Sequence, residues 1–359
     1  MKLNATYIKI RDKWWGLPLF LPSLILPIFA HINTFAHISS GEVFLFYLPL
    51  ALMISMMMFF SWAALPGIAL GIFVRKYAEL GFYETLSLTA NFIIIIILCW
   101  GGYRVFTPRR NNVSHGDSRL ISQRLFWQIV FPATLFLILF QFAAFVGLLA
   151  SRENLVGVMP FNLGTLINYQ ALLVGNLIGV PLCYFIIRVV RNPFYLRSYS
   201  SQLKQQVDAK VTKKEFAIWL LALGALLLLL CMPLNEKSTI FSTNYTLSLL
   251  LPLMMWGAMR YGYKLISLLW AVVLMISIHS YQNYIPIYPG YTTQLTITSS
   301  SYLVFSFIVN YMAVLATRQR AVVRRIQRLA YVDPVVHLPN VRALNRALRD
   351  APWSALCYL

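Results

Sequence analysis

Charge is what this sequence has least of. Asp, Glu, Lys and Arg make up 11% of its 359 residues, against about 25% in a soluble globular domain. A chain this poor in charge cannot cover a water-facing surface. That excludes an ordinary soluble enzyme, a disordered segment and a nucleic-acid-binding domain, so no nucleic-acid partner is expected. Acidic residues are scarcest, 11 against 30 Lys+Arg. The sequence shows no paired carboxylates, no nucleophile–base constellation and no Gly-rich phosphate loop. No catalytic, cofactor-binding or metal-binding residue is therefore expected in this chain. The four cysteines, Cys99, Cys183, Cys231 and Cys357, form no C-x-x-C spacing. They read as small buried hydrophobes rather than a disulfide framework or a metal site.

What is present is apolar. Hydrophobic residues are 59% of the chain, and the mean hydropathy is +0.68. A hydrocarbon core about 30 Å thick takes about 20 helical residues to cross, and in lipid the backbone must pair with itself. The apolar runs are therefore expected as helices over Trp14–Ala30, Val43–Phe60, Trp62–Val74, Thr85–Gly102, Leu125–Ala150, Thr165–Ile187, Glu215–Met232, Tyr245–Met259, Leu265–His279 and Ser301–Thr317. The 43–74 and 245–279 stretches each read as two full spans or as a re-entrant pair. The fold class expected is all-α, a polytopic membrane bundle of 8–10 transmembrane helices in a lipid bilayer.

Basic residues fix the orientation. With the N-terminus cytoplasmic, 26 of the 30 Lys+Arg fall on the cytoplasmic side, and Arg75, Lys76, Arg152 and Lys237 fall opposite. That asymmetry is a topology signal rather than a nucleic-acid footprint. It places both termini in the cytoplasm and residues 1–13 as a cytoplasmic N-terminal segment before an uncleaved first span. His31, His37 and His279 fall near the opposite face, without the paired spacing a metal site would need.

Inside the spans charge is almost absent, so no proton relay of the transporter kind is expected. Amides do occur there: Asn91, Gln141, Asn168, Gln170 and Asn176. They are candidates for interhelical hydrogen bonding or for lining a ligand pocket. Gly67-x-x-x-Gly71 and Gly175-x-x-x-Gly179 allow close helix approach. Tyr281 to Ser300 reads as an uncharged aromatic connection.

The last span continues past the membrane to Ala330. Leu315, Val322 and Leu329 recur every seven residues, with Ile326 in register and Gln319 as the polar exception. These form a short coiled-coil seam flanked by arginines, so homodimerisation through this helix is expected. Residues 318–332 then act as a signalling linker. Asp333-Pro334 ends the helix. Asn340 caps the next one, whose apolar face is Val341, Leu344 and Leu348. Ser354–Leu359 starts a strand-like run, so 333–359 reads as the opening of an α/β domain.

That segment resembles the opening of a diguanylate cyclase (GGDEF) domain, on Leu329, Ala330, Asp333, Leu338 and Asn340. Val336, His337 and Val341 replace the family's Thr, Gly and Arg, which implies a degenerate domain. The preceding part, 14–317, resembles the membrane-associated sensor (MASE) domains of bacteria. The resemblance rests on Leu48-Pro49, on Pro66-Gly67-Ile68-Ala69-Leu70-Gly71 and on Asn176-Leu177-Ile178-Gly179-Val180-Pro181. It implies a sensory input module in the bacterial inner membrane that answers an unknown ligand. Its output would be a cytoplasmic cyclic di-GMP domain, a GGDEF–EAL phosphodiesterase whose catalytic part would need Mg or Mn. The readings set against it are a transporter or channel, and a passive membrane anchor.

Overall fold

In the computed structural model the described residues are 13–38, 41–106, 121–146, 162–208, 211–232, 243–285, 290–331 and 341. Helix α1 (Leu17–His31) starts at Leu17-Pro18, where the missing proline N–H costs nothing because a first-turn donor has no intrahelical acceptor. It leads into an antiparallel hairpin, β1 (Thr34–Ile38) and β2 (Gly41–Phe46), with His37 opposite Glu42 and Ile38 opposite Gly41. Helix α2 (Leu48–Phe60), a 3-10 turn (Ser61–Ala64) and helix α3 (Leu65–Leu80) follow.

The Leu48 N–H donates to Asn33 Oδ1 at 3.0 Å, so α2 begins beside the far end of α1. Gly67, at the start of α3, lies on the backbone of Pro18 and Leu19 at the start of α1. The chain therefore reverses at Ser61, and α1 and α3 run parallel. Helix α4 (Phe82–Phe106) returns, bringing Arg104 Nη2 within 3.2 Å of Ser61 Oγ. The 43–74 stretch is thus two antiparallel limbs, with its first residues in β2 rather than in helix.

The next run is helix α5 (Ile121–Gln128), a π-helical turn (Ile129–Leu135) and helix α6 (Phe136–Phe145). Pro132 has no N–H to continue the α-helical ladder, and a widened turn absorbs the gap. Helix α7 (Leu163–Arg191) runs through the centre, and most of its first three-quarters is buried. It lies parallel to α2: Gly175 meets the Tyr47 carbonyl and Gly179 meets the Ala51 side chain.

At the other end of the molecule a short amphipathic helix, α8 (Tyr195–Gln206), precedes α9 (Lys213–Cys231). Thr212 and Glu215 start α9 with a capping box. Helices α10 (Thr243–Tyr261) and α11 (Tyr263–His279) meet at Gly262, whose φ of +81° suits glycine alone. The turn makes the 245–279 stretch a second antiparallel pair: Tyr263 N–H donates to Thr317 Oγ1 at one end, and Tyr281 OH donates to the Phe35 carbonyl at the other. Helix α12 (Tyr291–Tyr331) closes the bundle.

Six helical stretches are long and apolar enough to cross a membrane, and Leu17–His31 and Tyr263–His279 are shorter apolar helices. The two ends of the bundle differ in charge. One carries Arg104, Arg188, Arg191, Arg260, Lys264 and the arginines of α12. The other carries the hairpin, and among the described residues its only Lys and Arg are Arg75 and Lys76.

Three elements depart from the hydropathy reading. The hairpin lies between two apolar spans and is too short to register as a separate run. Helix α8 is hidden in a segment read only for its charge. Helix α12 starts ten residues before Ser301, in a Thr/Ser-rich stretch that reads as a loop by propensity. There Thr296, Thr298, Ser300 and Ser301 each donate to the carbonyl four residues back, at 2.8–3.0 Å. The hydroxyls are satisfied by the helix itself, which suits an apolar setting.

Candidate functional site

At the hairpin end a cavity of about 490 Å³ opens between α1, α2, α3 and α4 beneath the hairpin. Leu26, Met53, Ile72, Leu88 and Phe92 form its walls, Phe35, Phe44 and Tyr47 its roof. The rim is charged: Arg75, Lys76 and Glu79 from α3, and Glu42 from the hairpin. Lys76 Nζ lies 2.8 Å from one Glu79 oxygen and Arg75 pairs with the other. Glu42 faces His37 at 3.4 Å. A second void of about 20 Å³, behind Phe44 and Phe92, touches Asn168.

The five amides do not converge on one pocket. Asn168 Oδ1 accepts the Phe44 N–H at 2.7 Å, tying the hairpin to α7. Two residues on, Gln170 Nε2 donates to Ser300 Oγ at 2.7 Å, tying α7 to α12. Asn91 donates to its own helix, at the Ser87 carbonyl. Gln141 Nε2 is buried without a hydrogen-bond partner, and so are both amide atoms of Asn176. The contrast gives a prediction. N168A leaves a buried backbone N–H without its acceptor and should cost about 1–3 kcal/mol. N176V removes two unsatisfied groups and should leave the thermal midpoint in detergent unchanged or higher.

At the opposite end, α8 is clamped to α12. Arg320 donates to the carbonyls of Gln206 and Met259, and Arg324 to those of Gln205 and Val207. From the start of α11, the Lys264 N–H donates to Gln206 Oε1 at 3.0 Å, and the Lys264 ammonium reaches Gln202. Tyr199 OH donates to the Lys264 carbonyl at 2.8 Å. Burial, with Tyr195 and Tyr263 beside it, pushes the Tyr199 phenol above its ordinary pKa and keeps it a donor. Arg260 completes the layer with Asp208 at 3.4 Å and Glu215 at 3.6 Å.

Of the seam residues, Leu315, Val322 and Ile326 are 47%, 56% and 60% exposed along one side of α12. Leu329 continues that helix in backbone, and its side chain lies outside the described residues, as do Asp333, Leu338 and Asn340. The cavity rim and the α8 clamp were not singled out in sequence. Two weak signals pointed to them: adjacent cations on the side poor in Lys and Arg, and Lys264 two residues after the single-residue break at Gly262.

Among the described residues no group of three or more His, Cys, Asp and Glu comes together to hold a metal ion. The arrangement offers a cavity at one end, a buried central helix, and a long helix leaving the other end.

These features define a multi-pass helical membrane domain. The chain belongs to the MASE1 family, whose profile matches residues 15–320. It is 99% identical over 359 residues to the cyclic di-GMP phosphodiesterase PdeF of Escherichia coli strain K12, a match covering all of this chain and 48% of that protein. It is 25% identical over 357 residues to a probable cyclic di-GMP phosphodiesterase of the same strain, PdeA, over 97% of this chain and 47% of the relative. The chain thus spans about half the length of these curated relatives. No solved structure matches it.

Proposed function

We propose that this domain is the sensory input module of a cyclic di-GMP phosphodiesterase, set in the bacterial inner membrane with its basic end and both termini cytoplasmic. The observation that carries the reading is α12. It is one helix of 41 residues, about 60 Å at 1.5 Å per residue. It starts beside the hairpin end and leaves through the arginine clamp. A ligand can bias the output only by its difference in affinity between two packings of the bundle. Two hydrogen bonds on α7 join the hairpin to α12 and supply a contiguous route for such a bias.

Residues 14–317 are then the membrane sensor and 318–332 the signalling linker. Residues 333–359, with Asp333, Leu338 and Asn340, are the opening of a degenerate GGDEF domain. In this reading the EAL domain, with its Mg or Mn, belongs to the longer protein, of whose length this chain spans about half. The exposed side of α12 at Leu315, Val322 and Ile326 is the face on which two copies pair.

The test is a fusion of residues 1–332 to an intact cyclic di-GMP phosphodiesterase output. L315D, V322D and I326D should each reduce cross-linked dimer and change turnover. Unchanged dimer and unchanged turnover in all three would sink the reading. An unrelated anchor replacing 14–310 with regulation intact would show a passive tether.

A further inference from the structure

The hairpin-end cavity offers an occupant surface rather than charge. Its described lining carries two basic and two acidic side chains, Arg75, Lys76, Glu79 and Glu42, so the rim is balanced. These groups are already engaged. Arg75 and Lys76 both hold Glu79, and Lys76 has a further interaction of its own. Glu42 lies 3.4 Å from His37 Nδ1 across the hairpin. The amide in the described lining, Asn33, gives its Oδ1 to the Leu48 N–H. A charged ligand must break one of these contacts or leave its charge against an apolar wall, and a buried charge without a partner is costly.

Below the rim the lining is apolar and rich in rings. Phe44 packs on Phe35 and on Tyr47, with ring centroids 4.7 and 4.9 Å away, and Phe92 and Met53 join them in the lining. Further flat rings can add to such a set in offset or edge-on geometry. An apolar cavity of ~150 Å³ takes up benzene, so one of about 490 Å³ has room for about two or three rings.

We propose that this cavity binds an uncharged, flat, largely apolar molecule of about two or three rings. Ring and dispersion contacts with Phe44, Tyr47, Phe92 and Met53 hold it, and the rim charges do not. Phe44 is where occupancy would be felt: it lines the cavity, and its N–H is bonded to Asn168. A ligand that fixes the Phe44 ring therefore acts on the first of the two hydrogen bonds that lead to α12. That last step rests on the sensory reading; the binding itself does not.

The test uses the 359-residue chain in phosphatidylcholine nanodiscs with benzophenone, an uncharged two-ring compound that inserts into C–H bonds under ultraviolet light. Labelled peptides are mapped by mass spectrometry, and saturable labelling is expected on α2 and α4. Fluorene should compete for it. Fluorene-9-carboxylate and 9-aminofluorene carry the same rings with a negative or a positive charge. At equal concentration in the bilayer, calibrated on empty discs, each should compete at least about tenfold less well. R75Q/K76Q/E79Q removes three rim charges together and should leave labelling within about twofold of wild type, because an uncharged ligand gains little from them. A30W narrows the cavity at a half-buried lining position and should abolish the saturable labelling.

Labelling that does not saturate shows a cavity filled by lipid chains and overturns the proposal. Labelling that survives A30W overturns it too, as does equal displacement by either charged analogue, a comparison that needs no variant. A tenfold loss in R75Q/K76Q/E79Q with an unchanged thermal midpoint would show that charge holds the ligand, and also overturns it. Fluorene should change the turnover of the 1–332 fusion. Labelling as expected with unchanged turnover overturns the sensory reading and leaves the site standing.

Discussion

R320A/R324A is expected to free helix α8 from the exit helix while the rest of the bundle stays folded. The last carbonyls of a helix have no intrahelical donor and carry the negative end of its dipole. In α8 two arginines of α12 meet that need, at Gln205, Gln206 and Val207. Hydrogen bonds from charged donors are worth about 1.5–3 kcal/mol when sheltered. These sit at a half-exposed surface, so the pair together should contribute about 1–3 kcal/mol, at the low end of that per-bond figure. Amide exchange across Tyr195–Gln206 should speed up about 10- to 100-fold, the factor that energy implies for local opening. Exchange in α4, which neither arginine touches, should not change. R320K/R324K should recover only part of the protection, because an ammonium is a point charge and cannot fork between two carbonyls. Equal exchange in wild type and double alanine variant would show that Lys264 and Tyr199 hold α8 without help.

The clamp also explains why α8 exists. Its buried residues are Tyr195 and Tyr199, and Phe185 of α7 packs against both in tilted geometry, with ring centroids 6.4 and 4.7 Å away. The helix thus touches α7 through its aromatic face, α11 through Lys264 and α12 through the arginines. A shift of α7 relative to α12 at this end is therefore felt by α8. In the proposed function α8 is the cytoplasmic bearing in which α12 turns.

How much of this was legible in the sequence depends on the kind of signal. The apolar runs and the asymmetric arginines fixed the helices, their approximate ends and the sidedness of the charge, because burial in lipid and cost of charge transfer act on every residue in a run. Legibility failed where one local rule opposed another. Thr292–Ser301 reads as a loop by propensity, and only the back-bonded hydroxyls make it helix. The hairpin is too short for a hydropathy window, although Gly41 at φ +128° marks the turn side of β2. The cavity and the clamp depend on which helices neighbour one another, and no periodicity within one helix reports that. Arg75 and Lys76 were visible as exceptions to the charge rule, yet nothing in the spacing showed that Glu42 and Phe92 lie across from them. Asn168 and Asn176 look alike in sequence, eight residues apart on one helix, and only the fold separates the bonded amide from the unbonded one.

The other large effect concerns two glycines where helices touch through backbone. At Gly175 an added Cβ would collide with the Tyr47 carbonyl, and at Gly67 with the carbonyls of Pro18 and Leu19. Those oxygens belong to main chain at the start of α2 and of α1, so no rotamer change relieves the clash. G175A and G67A should each destabilise by at least the 1–3 kcal/mol usual for overpacking, with the larger loss at Gly175, because α7 is buried there between α2 and α12. Gly224 is the control: it is also helical, in α9, but has open space where a Cβ would go. There alanine should stabilise by up to about 1 kcal/mol, the ordinary gain in helix propensity. Thermal unfolding of the three variants in one detergent separates the cases. If G175A melted with G224A, α7 and α2 would not be in backbone contact, and the route from hairpin to exit helix would lose its central member.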